Sequence, residues 1–261
     1  MLKKLYNWSS SWTGTIVIVL SIIFFVAQAF VIPSGSMKNT LLIGDMLFVK
    51  KFSYGIPTPT LPWIEVKVLP DFKGNGHLID GDGPERGDIV VFRYPKNDAI
   101  HYVKRCVAVG GDLIALKDKH LLLHPKEGNE YIKSNYKKEE YIEFGNKLWL
   151  VDPYKKDHPG IHTDPTVIKN GLQPYQLFDM MPIEIPKDEY FMMGDNRDHS
   201  NDSRFWGTVP YKFIVGKPWF IYFSWNENKE IRWDRVFRTP EGIEKDMYGK
   251  EQEIKHKKGI Y

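Results

Sequence analysis

Two serines one residue apart, in Pro33-Ser34-Gly35-Ser36-Met37, and a lysine inside an apolar run, IHYVKRCVAV over residues 100–109, can combine into a nucleophile and its base. A serine hydroxyl attacks a carbonyl only when a neighbouring base takes its proton. If residues 101–109 form a strand, alternate side chains share a face. Tyr102, Lys104, Cys106 and Ala108 then lie on one side, and Val103, Arg105, Val107 and Val109 on the other. Both faces are mostly apolar, so a cation there sits against a low-dielectric surface. Arginine keeps its proton in such a place, whereas a desolvated lysine releases it more readily and becomes a neutral amine base. Lys104 is therefore the candidate partner of Ser36 in a Ser–Lys dyad. The plainer readings are a Ser-Gly-Ser linker and a lysine whose stem packs on the sheet while its ammonium reaches water.

A third constellation, GDNRDHSNDSRFWG, runs over residues 194–207. Its Asp, Asn, Ser and Gly side chains and backbone suit an elaborate hydrogen-bonded turn. Its length and its two acid–arginine sets suggest more. Asp195 with Arg197, and Asp202 with Arg204, are spaced for rigid bidentate pairs, and Ser200 could orient a neutral lysine by hydrogen bonding.

The elements that must position these residues begin with an apolar stretch, TGTIVIVLSIIFFVAQAFVI, over residues 13–32, with no charged residue between Lys4 and Lys38. About 20 apolar residues cross a ~30 Å hydrocarbon layer as a helix. One transmembrane helix is expected there, with Tyr6, Trp8 and Trp12 at its interface. Its rival is a cleaved signal peptide, since Lys3-Lys4 and Ala27-Gln28-Ala29 fit that grammar, but the run continues past Ala29. Lysines on both sides leave the orientation open. Ser36 follows Ile32 by four residues, so any chemistry there happens at the membrane surface.

Beyond that stretch, strand signals fall at residues 46–52, 88–94, 101–109, 190–193 and 219–225, which predicts a mainly β protein with an antiparallel, barrel-like core. The reading assigns residues 33–110 and 188–240 to that core. A polar, Lys- and Tyr-rich stretch at 111–187 reads as an inserted β-rich subdomain, residues 57–73 as a proline-rich excursion, and 241–261 as a charged tail, poorly ordered over 246–261. Residues 219–225 (WFIYFSW) are apolar on both strand faces, which suits core burial or a membrane-dipping surface. The 261 residues carry 36 Lys+Arg against 33 Asp+Glu, a net charge of +3, with 42% hydrophobic residues and one cysteine. Mean hydropathy is −0.39. These values exclude a polytopic membrane protein, and the weak basic balance argues against nucleic acid as a partner. A lone Cys106 excludes intramolecular disulfides and CxxC chemistry, and it reads as a buried apolar residue near Lys104.

Three segments, residues 33–56 (PSGSMKNTLLIGDMLFVKKFSYGI), 86–95 (RGDIVVFRYP) with 101–105 (HYVKR), and 194–210 (GDNRDHSNDSRFWGTVP), resemble in order the boxes of the type I signal peptidase family. These are membrane-bound Ser–Lys endopeptidases that remove signal peptides from exported proteins. The resemblance implies Ser36 as nucleophile and Lys104 as general base. It implies Ser200 as orienter, Asp202 and Arg204 as supporting pair, and an oxyanion hole from the Ser36 N–H and the Ser34 hydroxyl. It further implies pockets for small residues before the scissile bond, lined by Phe30, Ile32, Pro33, Met37, Leu41, Tyr102 and Val103. Signal-peptide-bearing preproteins are then the substrates and membrane lipid the surroundings, with the secretion translocon as an expected partner. No cofactor is expected, and the catalytic domain is placed outside the cytoplasmic membrane. Some bacterial members carry two spans and a disulfide, whereas this chain has one apolar run and one cysteine.

Other patterns carry less. Ser134-Asn135-Tyr136-Lys137 matches S-x-x-K without the accompanying motifs. His120 with His124, and His158 with His162, lack the glutamate of a zinc helix, so no metal is expected. Ala27-Gln28-Ala29 is a possible self-cleavage site. A self-cleaving Ser–Lys protease and a noncatalytic membrane-anchored binding module are the alternative functions.

Overall fold

The computed structural model describes residues 2–60 and 68–257. Residues 61–67 of the expected proline-rich excursion, and residues 258–261 of the tail, lie outside the described residues. The chain opens with two helices, α1 (Leu2–Ser9) and α2 (Trp12–Ser21), and α2 runs on into a π-helical turn, Ile22–Val26. Ser11 caps α2 by accepting from the Gly14 N–H at 3.1 Å. The single helix expected over residues 13–32 is not formed. Its last third is instead the strand β1 (Ala27–Val31). Residues 27–31 pair along their length with the following strand, and the Lys51 ammonium donates to the freed carbonyls of Ile23 and Phe24 at 3.2 and 3.4 Å. At 1.5 Å per residue the helical run is about 22 Å long. No helix among the described residues is long and apolar enough to cross a membrane.

Strands follow in chain order: β2 (Asp45–Lys50), β3 (Gly55–Pro57), β4 (His77–Asp80), β5 (Ile89–Tyr94) and β6 (Asn97–Val109). Then come β7 (Leu113–Lys117), β8 (His120–His124), helix α3 (Gly128–Asn135), β9 (Tyr141–Phe144), β10 (Lys147–Val151) and β11 (Met180–Glu184). The chain continues through β12 (Glu189–Met193), α4 (Ser203–Trp206), β13 (Val209–Pro210) and β14 (Ile214–Ser224), ending in α5 (Pro240–Lys257). Seven of these strands make one antiparallel sheet in the order β1-β2-β14-β5-β6-β12-β13. Among the described residues the sheet is open, not barrel-like: β1 and β13 are its edges, and the two-residue β13 ends in a proline that cannot donate to a further strand. Two cores lie against it. One gathers Ile32, Met37, Leu41, Leu47, Val91 and Ile221, the other Val90, Phe92, Cys106, Met192 and Ile214.

The expected alternation along β6 holds from Tyr102 to Cys106 and then breaks. Met192 pairs with Cys106 and Phe191 with Ala108, so Val107 is an extra residue. After this bulge Ala108 joins the same cluster as Val107, while Val109 packs with the Cys106 side. Cys106 is fully buried, as its apolar neighbourhood suggests, and burial pushes its thiol well above the ordinary range.

A second antiparallel sheet, β11-β7-β8-β10-β9, encloses its own cluster around Ile114, Leu123, Ile132 and Leu150. The carboxyl-terminal stretch departs from the disorder expected of its charges. Residues 240–257 are helical, Ile243 packs into the core beside Val215, and Glu244 is buried against Arg105. In β14, Ile221 is fully buried whereas Trp219, and Trp225 just after the strand, are each 42% exposed, so the apolar run divides between core and surface. Asp45, with no exposed surface, holds the turn before α5 to β2 through Arg235 at 2.6 Å. Arg235→Ala should remove the bidentate partner of that buried carboxylate, leaving it the Ser224 hydroxyl, the Leu42 N–H and the more distant Arg232, and lower stability by about 3 kcal/mol. Urea denaturation of the variant beside wild type checks this.

Candidate active site

Ser36 lies in the loop that joins β1 to β2, within a 3-10 turn, Gly35–Met37. The loop is pinched at its base, where the Ile32 N–H donates to the Asp45 carbonyl and the Gly44 N–H to the Ile32 carbonyl. This pinch explains why β1 is needed: it turns the residues after the helical run into one arm of a fixed hairpin. The nucleophile turn is held from the other side by the loop after β12. The Asn196 N–H donates to the Ser36 carbonyl at 3.0 Å, and Asn196 Nδ2 to the Gly35 carbonyl at 3.1 Å. Gly194 permits this approach, because a Cβ there would lie 2.5 Å from the Ser36 carbonyl and 2.3 Å from Ser200 Oγ.

Lys104, on β6, reaches the same place. Its Nζ lies 2.6 Å from Ser36 Oγ, 3.1 Å from the Val103 carbonyl and 5.1 Å from the centre of the Tyr102 ring. Lys104 is 4% exposed and Ser36 8%. Burial lowers the Lys104 pKa to about 8; Asp202 and Asp195 oppose the shift and Arg204 adds to it. Ser34 Oγ lies 3.4 Å from Ser36 Oγ.

The acidic and basic residues of the loop divide differently from the expected pairs. Asp202 and Arg204 do form a bidentate pair, Nε to Oδ1 and Nη2 to Oδ2, both at 2.8 Å. Asp202 also accepts from the Gly194 N–H at 3.0 Å and caps α4. Asp195, however, is gripped by Arg105, not by Arg197, with Nε and Nη2 at 2.8 and 2.7 Å. Arg105 stands on β6 opposite Met193, so it faces Asp195 squarely. Burial alone would raise both carboxyls, but their arginine partners hold them below the ordinary range. Arg197 is buried without a carboxylate bond of its own. It touches Met193 Sδ at 3.6 Å, and desolvation pulls it down to about 10. Ser200 is buried beside Gly194, and among the described residues its Oγ makes no hydrogen bond of ordinary geometry, with Lys104 or any other group.

Sequence reading missed the residues that reinforce this frame. Arg105 also donates to the Gly87 carbonyl at 2.7 Å and to Glu244 Oε1 at 2.5 Å, and lies 3.0 Å from His158 Nδ1. Thr40 Oγ1 donates to Asp195 Oδ2 at 2.6 Å. His158, weighed as a metal ligand, thus supports Arg105. His162 Nδ1 contacts the Gly160 carbonyl, His120 pairs with Asp152, and His124 Nδ1 contacts the Leu148 carbonyl. Among the described residues no group of three or more His, Cys, Asp or Glu is arranged to hold a metal.

Ser36 and Lys104 open onto a cleft of about 540 Å³ between β1 and β6. Of the expected pocket residues, Phe30, Ile32, Pro33, Met37, Tyr102 and Val103 line it. Leu41 does not: it is fully buried in the core behind Met37. The cleft adds a polar wall, Asn196, His199 and Asn201, that motif reading did not assign to substrate.

Residues 5–225 match the family model described as "Signal peptidase, peptidase S26". The chain belongs to this family. It is 48% identical to signal peptidase I of Helicobacter pylori strain J99, over 94% of this chain and 96% of that protein. It is 36% identical to signal peptidase I of Pseudomonas aeruginosa, over 86% of this chain and 75% of that one. The resemblance carried by the serine, lysine and GDN segments therefore identified the S26 family correctly.

A lysine lowered by burial has a signature apart from turnover. In the unfolded chain it titrates near its ordinary 10.5, so between about 8 and 10.5 the unfolded state binds the extra proton and stability rises with pH. Below that window both states are protonated and the buried ammonium carries its full penalty. Chemical-shift titration of ¹³C-labelled lysine should give one midpoint near 8 that is absent in Lys104→Met, and the variant should lose that rise in stability.

Proposed function

We propose that this chain is a membrane-anchored serine endopeptidase that removes signal peptides from exported preproteins, cutting after a small-x-small triplet. The observation that carries the reading is the 2.6 Å approach of a buried Lys104 Nζ to Ser36 Oγ. The neutral amine accepts the hydroxyl proton and the alkoxide attacks the scissile carbonyl. The oxyanion of the tetrahedral intermediate is received by the Ser36 N–H and the Ser34 hydroxyl. Lys104, now an ammonium, protonates the leaving amine, which is the new amino terminus of the mature protein. Water, deprotonated by Lys104, then opens the Ser36 acyl ester and frees the signal peptide. Asp202 with Arg204 and Asp195 with Arg105 fix the loop behind Lys104, and in that loop the buried Ser200 hydroxyl, which makes no hydrogen bond of ordinary geometry among the described residues, is the group available to orient the neutral amine.

Side chains before the scissile bond face Phe30, Ile32, Pro33, Met37, Tyr102 and Val103, an apolar surface suited to small residues. Lipid is the natural cover for α2, whose Ile16, Val17, Ile18, Val19 and Leu20 are all exposed, and for Trp219 and Trp225 at the end of β14. The active domain then lies outside the cytoplasmic membrane, where preproteins emerge from the translocon. Self-cleavage is disfavoured at Ala27-Gln28-Ala29, because those residues are paired in β1 with Lys50, Val49 and Phe48.

Purified full-length protein in lipid-supplemented detergent should cut a precursor after Ala-x-Ala. Ser36→Ala and Lys104→Met should each lower kcat/KM by on the order of 10⁴ or more. For wild type, log kcat/KM should climb with pH to a bend near 8, as Lys104 loses its proton. Equal cutting by all three proteins, or a pH-independent rate through that range, contradicts the dyad.

A further inference from the structure

The polar wall of the cleft is partly a product of the second sheet's connections. The stretch between β10 and β11 crosses to the catalytic loop. There the His162 N–H donates to the Asp195 carbonyl at 2.9 Å and the Arg197 N–H to the His162 carbonyl at 3.0 Å. The Asp164 N–H donates to Asp198 Oδ2 at 2.6 Å. The Asp164 carboxylate is fully engaged. Oδ1 accepts from the N–H and hydroxyl of Thr166, at 2.8 and 2.6 Å, and Oδ2 lies 2.9 Å from His199 Nε2. These donors hold its pKa well below the ordinary carboxylate range. His199 is a cleft residue, so a side chain from residues 111–187 fixes a group in the wall of the site.

An ionised carboxylate only accepts, so Nε2 of His199 carries a proton toward Asp164, and in the singly protonated ring Nδ1 is left as the acceptor. Toward β1 and β6 the cleft is apolar apart from His101 and Lys104, and it is polar at Asn196, His199 and Asn201, with Ser36 between. A peptide crossing Ser36 with its small residues on the apolar side puts the residues after the scissile bond against the polar one. We propose that His199, oriented by Asp164, recognises the first two residues of the mature chain and favours a side chain that donates a hydrogen bond. This rests on the peptidase reading above and adds to it a second specificity site, built by the inserted sheet.

The test uses precursors identical except for isosteric changes at the first or second mature position, Thr against Val and Asn against Leu. Wild type should prefer the donating member by about three- to tenfold in kcat/KM, the range of one exposed hydrogen bond. His199→Ala and Asp164→Ala should bring that ratio toward one, and His199→Asn, which keeps an acceptor in place, should restore part of it. Because the readout is a ratio within each protein, partial loss of fold or activity does not imitate the effect. If His199→Ala does not fold, Asp164→Ala carries the same measurement. A wild-type ratio of one, or a ratio unchanged in the variants, overturns this inference while leaving the peptidase reading intact. Failure of wild type to cut any precursor overturns the peptidase reading itself.

Discussion

A lysine can serve as a base near neutral pH only if its surroundings make the ammonium expensive without leaving the amine unsupported. Here burial supplies the expense and outweighs what the neighbouring carboxylates return. Arg105, Arg197 and Arg204 stand against Asp195, Asp202 and Glu244, three cations and three anions, all buried. That set is neutral without Lys104, so a protonated Lys104 would be its one excess charge. Each carboxylate is also occupied by closer donors: Arg204 and the Gly194 N–H on Asp202, Arg105 and Thr40 on Asp195. The acids therefore hold the loop, and although Asp202 and Asp195 return part of the penalty to the lysine, burial outweighs them and Arg204 opposes them.

Arg105 shows how separate parts of the chain meet that requirement. It lies next to Lys104 on β6 and is 1% exposed, which would be ruinous for an unpaired guanidinium. Its donors are met by Asp195 from the catalytic loop, Glu244 from α5 and the carbonyl of Gly87, and His158 closes the remaining side. Four segments distant in sequence converge on one side chain. Fixing Asp195 in turn fixes the backbone at Asn196, and so the carbonyl of Ser36. The geometry of Ser36 is thus set largely by groups that do not touch its hydroxyl.

The mainly β, antiparallel character was legible because the strands carry local signals: β-branched runs bounded by Gly, Pro or Asp. Ser36, Lys104 and the Asp202–Arg204 pair were legible because each lies in a compact motif. What escaped depends on long-range placement. Arg197 is two residues from Asp195, but in a 3-10 turn that spacing does not face it, and Arg105 comes from another strand. Residues 27–31 have the composition of a membrane helix, and only pairing with β2 makes them a strand. Glu244 sits in the charged tail, where composition gives no reason for burial, and its burial follows from one cation elsewhere. Leu41 shares the apolar character of the cleft residues yet points into the core, a distinction that composition cannot express.

The central claim is that Ser36 carries the acyl group in a reaction driven by a neutral Lys104. Its most direct test is rapid acid quenching of wild-type protein mixed with a short Ala-x-Ala precursor, followed by peptide mapping by mass spectrometry. The account predicts an acyl adduct, of the mass of the amino-terminal fragment, on the peptide containing Ser36, with a yield that rises with pH toward about 8 and above. An adduct on another residue, or product formation with no adduct at any quench time under conditions that trap serine esters, would contradict it.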